Sequence, residues 1–583
     1  MKTIFSHFTF YILDFTLLWR RNVFMKTLPY LLALFLISLN SQAQYTKYVI
    51  RFKDKNGTPY TIDNPSAFLS QKAIARRQKQ NIPIDATDLP VNPAYIDSVR
   101  LAGNVTVLNV SKWLNQIGIA TTDTAALNKI NSFPFVIASQ PTQQPVRMQQ
   151  VQHNKLIEQF DSTASAQGVT GVNDFYNYGN AFNQIHIHEG EYLHNLGFHG
   201  EGMSIALLDA GFYHYQSLAA FDSLRNDHRV METYNYVRND TSVNFDHPHG
   251  MECLSTMASN VPGQMVGTCP KANYYLYVTE DVSSESPAEE QNWAAAAEHA
   301  DSAGVDVIST SLGYTQFDNP TLSHTYSDMN GHTTIAARAA DMAAKKGIIV
   351  VIAAGNDGND AWHYIGTPAD ADSCLAVGAV DINGNIGSFS SYGPSSDGRV
   401  KPEVASVGVG TYVCSSSGTF VAGNGTSFAT PNLAGLIACL WQAFPEFSNM
   451  EIIQAVEKSS SIYNAPDNRM GYGIPDFRLA YNDLSTQRAL RNINSILGNE
   501  TLKAYPNPFK NNFSIAIKPY HSATGVFRLY DASGKLYLQK EVSLQEGQPQ
   551  LIQFNNLQPL QRGIYILKFS DGQSKKTIKL VMQ

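Results

Sequence analysis

An aspartate, a histidine and a serine, which together can cleave an amide bond, occur in three separate segments of the chain. Asp209 ends an apolar run and precedes a glycine turn, His249 opens an apolar helical pattern, and Ser427 lies where a glycine loop meets another helical pattern. Acyl transfer needs a hydroxyl that an imidazole activates and a carboxylate that fixes the imidazole tautomer. The three residues therefore predict a hydrolase with a serine nucleophile.

Each residue also has a purely structural interpretation. An aspartate after a strand is more often a helix cap, a single histidine can be a buried core residue, and a single serine can be an N-cap. The catalytic interpretation therefore depends on all three occurring together, in one domain and in a defined order.

The serine segment, residues 425–431, reads GTSFATP. We expect Pro431 to be tolerated near the helix start because the first helical N–H groups have no intrahelical partner. The same N–H groups and the helix dipole favour negative charge beside Ser427. An oxyanion formed during acyl transfer would benefit from such donors.

Residues 170–481 have the pattern of an α/β domain. Short apolar runs at 203–208, 305–308 and 348–352 alternate with alanine-rich helical patterns at 293–303 and 335–346. Such runs are typical of parallel strands buried on both faces. The sequence therefore predicts a parallel sheet with helices on both faces, and active sites of such sheets lie at the strand ends.

Several segments of this domain, taken in order, resemble the subtilase family of serine peptidases. The aspartate, histidine and serine segments occur in that family's order, and the serine segment is the most specific. Four further segments match between or around them: 309–313 (STSLG), 351–356 (VIAAGN), 375–380 (LAVGAV) and 388–393 (SFSSYG).

The resemblance implies a role for each matched residue. Ser427 would be the nucleophile, His249 the general base and Asp209 the group that orients it, and Asn356 would bind the oxyanion together with the Ser427 backbone N–H. Residues that would bind substrate are Ser311, Leu312, Gly313, Ala353, Ala354, Gly355 and Gly366. Gly366 would be the floor of the P1 pocket, which would leave room for a large apolar side chain.

The sequence departs from the family after the histidine. Subtilases usually continue with a small residue, a variable one and then Val-Ala-Gly, whereas residues 251–255 read MECLS. We expect the helix behind His249 to pack differently and Glu252 to be solvated. A carboxylate close to His249 would raise its pKa.

The N-terminal part predicts export and a separate domain. Residues 1–44 form an expected signal peptide with Met25 as a possible true start and cleavage after Ala43. Residues 45–140 mix strand and helix patterns and lie where subtilases carry an inhibitory propeptide, so we expect a small α+β propeptide domain. Its helical stretch 69–80 has a basic face, expected to be solvated: Lys72, Arg76, Arg77 and Lys79. Residues 141–169 are polar and predict a linker.

The C-terminal part predicts a second accessory domain. A polar connector is expected at 482–500, followed at 501–583 by short alternating strands and turns typical of a β-sandwich. Segments at 504–509, 529–535, 563–568 and 576–580 resemble the sorting domain of the bacteroidete type IX secretion system. That resemblance implies export through the periplasm, and release or attachment at the cell surface. A generic sandwich module, such as one that binds carbohydrate, is the alternative.

Composition limits the remaining possibilities. The 583 residues carry a net charge of −7, which gives no basic field for nucleic acid. The five cysteines lack metal-site spacing, and we expect most to be buried thiols. We expect a monomer with no required cofactor. Calcium is common in subtilases, but no ligand set here matches one. The expected partners are protein or peptide substrates, the chain's own propeptide and the outer-membrane secretion machinery.

The sequence thus predicts a secreted serine endopeptidase, with a catalytically silent surface binding protein of the same fold as the alternative. The altered segment after His249 is the support for that alternative. A lipase-type hydrolase is disfavoured because the serine lacks a G-x-S-x-G elbow and the triad order differs.

Overall fold

The computed structural model describes residues 45–144, 159–161, 173–244, 247–557 and 560–583, the backbone alone for 159–161. The predicted signal peptide 1–44 and most of the predicted linker 141–169 lie outside these residues. In the part of the chain that is described, no helix has both the length and the apolar character needed to cross a membrane.

The N-terminal domain, residues 45–144, is the predicted α+β unit. Its four antiparallel strands lie in the order β2-β3-β1-β4, and its helices carry the apolar residues that cover the sheet. The last strand ends at Gln143, three residues beyond the boundary expected from the sequence. The elements are β1 Lys47–Phe52, α1 Gln71–Lys79, α2 Pro93–Arg100, β2 Thr106–Ser111, β3 Gln116–Ala120, α3 Thr124–Asn131 and β4 Val136–Gln143.

The central domain is built on a seven-stranded parallel sheet in the order β14-β13-β12-β11-β6-β10-β7. The predicted α/β class is therefore confirmed. The strands of this sheet are β6 Ser204–Asp209, β7 Val230–Asn235, β10 Asn273–Val278, β11 Val307–Thr310, β12 Ile349–Ala353, β13 Leu375–Val380 and β14 Val404–Val407. Smaller strands are β5 Gln159–Asp161, β8 Asn260–Val261, β9 Met265–Val266, β15 Thr411–Cys414 and β16 Phe420–Asn424.

Helices cover both faces of this sheet, and β6 shows why its sequence is apolar throughout. Ile205 and Leu207 point into one core, whereas Ala206 and Leu208 point into the other. The first core is shared with α7 and α10, and the second with α8 and α9. The helices are α4 Phe182–His186, α5 Glu191–Asn195, α6 Asp222–Asn226, α7 His249–Ala258, α8 Ala288–Ala303, α9 Ile335–Lys345, α10 Thr426–Ala443, α11 Asn449–Lys458 and α12 Phe477–Leu497.

The polar connector predicted at 482–500 is largely helical, because α12 extends to Leu497. On one side Arg488 pairs with Glu446 of the central domain, and on the other Ile493 and Leu497 pack against Ala516 of the C-terminal domain. Alternating polar and apolar positions thus let one helix join two domains.

The C-terminal domain consists of two antiparallel sheets that enclose one apolar core, as predicted for a β-sandwich. One sheet has the order β17-β18-β21 and the other β20-β19-β22-β23. The strands are β17 Leu502–Tyr505, β18 Phe513–Ile517, β19 Ala523–Asp531, β20 Leu536–Leu544, β21 Gln550–Phe554, β22 Gly563–Ser570 and β23 Lys575–Met582.

The basic face of α1 is solvated only in part, because Lys72 and Lys79 are exposed as expected whereas Arg76 and Arg77 dock against the central domain. Arg76 and Arg77 are 6% and 1% exposed. The Arg77 guanidinium donates to both carboxylate oxygens of Asp301 at 3.0 and 2.9 Å and to Asp88 at 2.7 Å. A basic helix face has the same pattern whether it meets water or buried carboxylates, so the sequence could not distinguish the two.

We expect Arg77→Met to destabilise the docked precursor by about 3–5 kcal/mol, because it leaves buried carboxylates without their guanidinium. The measurement is urea unfolding of the full chain carrying Ser427→Ala, so that the candidate nucleophile cannot cut it. Lys79→Met, on the exposed side of the same helix, is the control and should change the free energy of unfolding by less than about 0.5 kcal/mol. Equal effects of the two substitutions would contradict the docking role of Arg77.

Candidate active site

The candidate site lies at the carboxyl edge of the parallel sheet. Asp209 is the last residue of the interior strand β6, Ser311 directly follows β11, and Asn356 lies three residues beyond β12. Parallel strands end at one edge of their sheet, so residues distant in sequence come together there. The sheet order places β11 between β6 and β12.

Asp209 and His249 form a buried pair. His249 is the first residue of α7, both side chains are about 1% exposed, and His249 Nδ1 lies 2.7 Å from Asp209 Oδ1. Gly250 makes this approach possible, because a Cβ there would lie 2.6 Å from the Gly211 carbonyl oxygen and 2.8 Å from Asp209 Cβ. The glycine after the histidine is therefore a steric requirement of the pair.

The pair changes the protonation of the imidazole. Burial, the strongest single influence, lowers the pKa of His249, whereas the Asp209 carboxylate and the neighbouring Cys253 raise it, and the net pKa lies well above its ordinary value. The carboxylate also accepts the backbone N–H of Ala210 at 2.7 Å, which holds Oδ1 in place. Asp209 can thus orient the ring and stabilise its protonated form.

Ser427 is the second residue of α10 and is 4% exposed. Its backbone carbonyl accepts hydrogen bonds from Ser311 Oγ at 2.8 Å and from Cys253 Sγ at 3.3 Å. Cys253 Sγ also lies 4.0 Å from His249 Nδ1. One thiol on α7 therefore contacts both the histidine and the serine segment.

Pro431 has a different role from the one expected. Helix α10 begins at Thr426, so Pro431 lies inside the helix and not among its first orphan N–H groups. A proline cannot donate to the carbonyl four residues earlier, which here belongs to Ser427. That carbonyl is consequently available to Ser311 and Cys253.

Cys253 was assigned no role from the sequence, yet it fills the space between the two helices. Burial raises the pKa of its thiol to about 11, so the group stays a neutral donor near neutral pH. The signal available in the sequence was its position four residues after His249, which places both side chains on one face of a helix.

Glu252 is buried rather than solvated, with 6% exposure. The expectation failed because all ten residues of α7 are buried. The helix packs against β15, where Ser255 Oγ accepts the backbone N–H of Cys414 at 2.8 Å. No face of α7 remains for solvent.

Asn356 presents its side chain at the surface of the site. Its Oδ1 accepts from the backbone N–H of Thr426 at 3.0 Å and from Thr426 Oγ1 at 2.9 Å. Since the amide is planar, fixing Oδ1 also fixes the direction of the Nδ2 donor. Gly355 before it has φ of +109°, a conformation that favours glycine. Thr426 had no separate role predicted from the sequence, yet it orients the amide.

The residues expected to bind substrate divide into buried and accessible groups. Leu312, Ala353 and Ala354 are buried, and the Ser311 hydroxyl donates to the Ser427 carbonyl. Gly313 is exposed and Gly355 half-buried. Gly366 lies against the neighbouring loop, where a Cβ would be 2.9 Å from Thr315 Cγ2.

Metal-ligand residues gather at one place in the described residues, and that place is this site. Ligand atoms of Asp209, His249 and Cys253 all lie within 4.8 Å of one another. Calcium prefers oxygen ligands, so a group with a histidine and a thiol does not fit it. The calcium expectation stays untested.

Comparison with known proteins agrees with this architecture. The subtilase family model matches residues 200–473, a peptidase S8 propeptide domain of Bacteroidota matches 47–158, and a secretion system C-terminal sorting domain matches 503–583.

Among similar curated proteins, a thermostable alkaline protease of Halalkalibacterium halodurans is 28% identical over 274 residues, covering 47% of this chain and 66% of that protein. Subtilisin DY of Bacillus licheniformis is 32% identical over 259 residues, covering 44% of this chain and 82% of that protein. Subtilisin Savinase of Lederbergia lenta is 30% identical over 260 residues, covering 44% of this chain and 83% of that protein.

The matched segment lies wholly in the central domain, which is that of a serine protease. The chain belongs to the subtilase family and is a subtilisin-like serine endopeptidase, preceded by a propeptide domain and followed by a secretion sorting domain.

The raised pKa of His249 predicts an acid limit to activity. The general base must be neutral, so kcat/KM should rise only as pH rises through the elevated pKa. Asp209→Asn removes the carboxylate that raises it, and burial then lowers the pKa. We expect the acid limb of the pH profile to move to lower pH and kcat to fall about 10⁴-fold because the tautomer is no longer fixed.

The measurement is kcat/KM against pH for a chromogenic peptide. Asp227→Asn, which changes an exposed carboxylate of the same domain, is the matched control and should leave the profile unchanged. An acid limb at the same pH in the Asp209→Asn enzyme would show that the pair does not set the histidine pKa.

Proposed function

We propose that the chain is a secreted endopeptidase that hydrolyses peptide bonds in proteins through an acyl-enzyme intermediate, with Asp209, His249 and Ser427 as its triad. The observation that carries the proposal is the buried 2.7 Å hydrogen bond between Asp209 and His249 at the edge where α10 presents Ser427. The contacts of Cys253 with both His249 and the Ser427 carbonyl support the closeness of the two helices.

In this mechanism His249 removes the Ser427 hydroxyl proton as the oxygen attacks the scissile carbonyl. The imidazolium that forms is stabilised by Asp209 and then donates its proton to the leaving amine. Water, activated by the same imidazole, hydrolyses the acyl-enzyme. Asn356 Nδ2 and the Ser427 backbone N–H stabilise the oxyanion, a contribution of about 3 kcal/mol for each such donor.

The substrate pocket is proposed to accept a large apolar P1 residue. Gly366 forms its floor, and Ala353, Ala354 and Gly355 form a wall. Gly366 adds no side chain to the pocket, and Thr315, whose Cγ2 would lie 2.9 Å from a Cβ at Gly366, bounds the pocket on that side. Cleavage confined to sites after charged residues would overturn this preference.

The propeptide is proposed to block the cleft until it is removed. Its last strand ends at Gln143, whose Nε2 donates to Ser284 Oγ at 2.8 Å beyond the carboxyl end of β10. The described chain resumes at β5, where Gln159 pairs with Asn424, three residues before Ser427. The chain therefore leaves the propeptide beyond the end of one strand of the sheet and rejoins the enzyme beside the serine segment, which supports maturation cleavage between Gln143 and Gln159.

A buried carboxyl group of the central domain holds the docked propeptide, and removal of the propeptide would expose it. Glu298 of α8 accepts from the backbone N–H of Lys112 at 2.6 Å and of Trp113 at 3.1 Å, and from Ser111 Oγ at 2.5 Å. Burial raises the pKa of Glu298 to about 7. Three donors from one propeptide turn on one carboxylate support a specific, saturated interface.

We expect purified wild-type protein to digest a mixture of unfolded proteins, and Ser427→Ala to lose this activity by about 10³-fold or more because the nucleophile is missing. Mass spectrometry of the product termini also gives the P1 preference. Ser417→Ala, which removes an exposed serine hydroxyl ten residues earlier, is the matched control and should digest normally.

The same pair of proteins tests maturation. Wild type should lose the propeptide by a cut between Gln143 and Gln159, and Ser427→Ala should keep it. Identical processing of both would mean that another protease removes the propeptide. Full digestion by Ser427→Ala would reject the triad, and an inert wild type would favour the silent binding protein.

The sorting domain is proposed to direct export through the periplasm and across the outer membrane, ending in release or surface attachment. We expect deletion of 501–583 to leave the protein in the periplasmic fraction, measured by immunoblot of periplasm and medium. Peptidase activity in the periplasmic fraction serves as the control that the shortened chain is folded. Unchanged secretion of the shortened chain would contradict the assignment.

A further inference from the structure

Two thiols meet inside the central domain at a place the catalytic mechanism does not use. Cys269 Sγ and Cys439 Sγ lie 3.6 Å apart, although the residues are 170 positions apart in sequence. Both residues are fully buried. The other three thiols contact backbone carbonyls of Ser427, Ala371 and Ser415.

The backbones around this pair are held unusually close. Gly435 of α10 faces the segment before Cys269, so that a Cβ at Gly435 would lie 2.0 Å from Thr268 Oγ1 and 3.1 Å from Cys269 Cβ. Cys439 is one helical turn beyond Gly435, and helical side chains lean toward the N-terminus of their helix. The Cys439 side chain therefore leans over the glycine toward Cys269.

This approach suits a disulfide, whose sulfur atoms are bonded at about 2.05 Å. The two sulfur atoms need to close by roughly 1.5 Å, a movement within reach of small side-chain rotations. The missing side chain at Gly435 removes the steric barrier that a larger residue would create between helix and segment.

The pair joins the two parts of the chain that carry the candidate histidine and serine. The segment of Cys269 is bonded to the end of α7, because Thr268 N–H donates to Thr256 at 2.9 Å and Cys269 N–H donates to Met257 at 2.9 Å. Helix α7 begins at His249, and α10 begins beside Ser427. A bond between the thiols would link α10 covalently to the segment that is hydrogen-bonded to the end of α7.

We propose that Cys269 and Cys439 form a disulfide in the exported protein. Both S–H bonds break and one S–S bond forms, and the two electrons and two protons reduce the disulfide of an external thiol–disulfide oxidant to a dithiol. Exported proteins meet such oxidants, whereas cytosolic thiols stay reduced. Since both sulfur atoms are buried in the folded domain, the exchange takes place before the core closes around them.

The experiment uses full-length Ser427→Ala protein recovered from the culture fraction to which it is exported. Alkylation after denaturation without reductant should modify three of the five cysteines, and digestion should give a peptide pair linking Cys269 to Cys439. Reduction under denaturing conditions, followed by refolding with reductant present, should lower Tm by roughly 10 °C, since the bond closes a long loop in the unfolded chain. Five alkylated cysteines would overturn the proposal.

Two variants distinguish this bond from a general effect of reductant and from a bound metal ion. Cys439→Ala should free Cys269 for alkylation and abolish the effect of reductant on Tm, whereas Cys374→Ala, another buried cysteine, should keep both the linked peptide and the effect. His194 Nε2 lies 3.9 Å from Cys439 Sγ, so thiols that become reactive only after a chelator is added would indicate a bound metal and overturn the proposal.

The proposal rests on export but not on catalysis. The linked peptide is read in a protein without the candidate nucleophile, so a failed activity assay leaves the result intact. A second test does not depend on the secretion route. The protein is denatured and reduced, and is then refolded with oxidised glutathione. The linked peptide should appear after refolding, and its absence there would also overturn the proposal.

Discussion

The hydrogen bond between Asp209 and His249 imposes the strictest requirement on the rest of the structure. A carboxylate with about 1% exposure is costly unless a partner compensates for lost water, and the imidazole is that partner. The bond requires a strand that ends at the sheet edge, a helix that begins with the histidine, and no side chain at Gly250. The interior position of β6 and the complete burial of α7 bring these groups together.

A second constraint concerns the start of α10, where Pro431 leaves the Ser427 carbonyl without its usual helical donor. Without the N–H that residue 431 would otherwise donate, the Ser427 carbonyl accepts from Ser311 on one side and Cys253 on the other. The backbone of Ser427 is thus held both by Ser311, which directly follows β11, and by Cys253 of α7. Thr426 performs a similar task for Asn356, because its two hydrogen bonds hold the amide oxygen and so fix the plane of the amide. Neither Pro431 nor Thr426 needs to touch a substrate to shape the site.

The propeptide interface has a different character from the candidate active site. It buries a network of opposite charges, with Arg77 between Asp88 and Asp301, and Glu298 bonded to a propeptide turn. Buried ion pairs of this kind contribute less to net stability than to specificity, because desolvation offsets much of their attraction. An interface built this way can fix the orientation of the propeptide and still separate once the connecting chain is cut.

The sequence by itself determined the domain order, the α/β class and the residues that approach one another at the sheet edge. Apolar runs of strand length between alanine-rich helices allow few architectures, and parallel strands deliver their ends to a common edge. Local patterns therefore carried most of the information about Asp209, His249 and Ser427, although their catalytic roles remain a proposal.

Tertiary packing decided what local pattern could not. Glu252, Arg76 and Arg77 were expected in water and are buried, because polarity alone does not reveal a facing partner such as Asp301. Pro431, Cys253 and Thr426 acquire their roles from residues that are distant in sequence. The contact between Cys269 and Cys439 likewise depends on how α10 crosses a distant segment at Gly435. Periodicity reports the conformation of a segment, whereas the partner of a side chain is fixed only when segments pack.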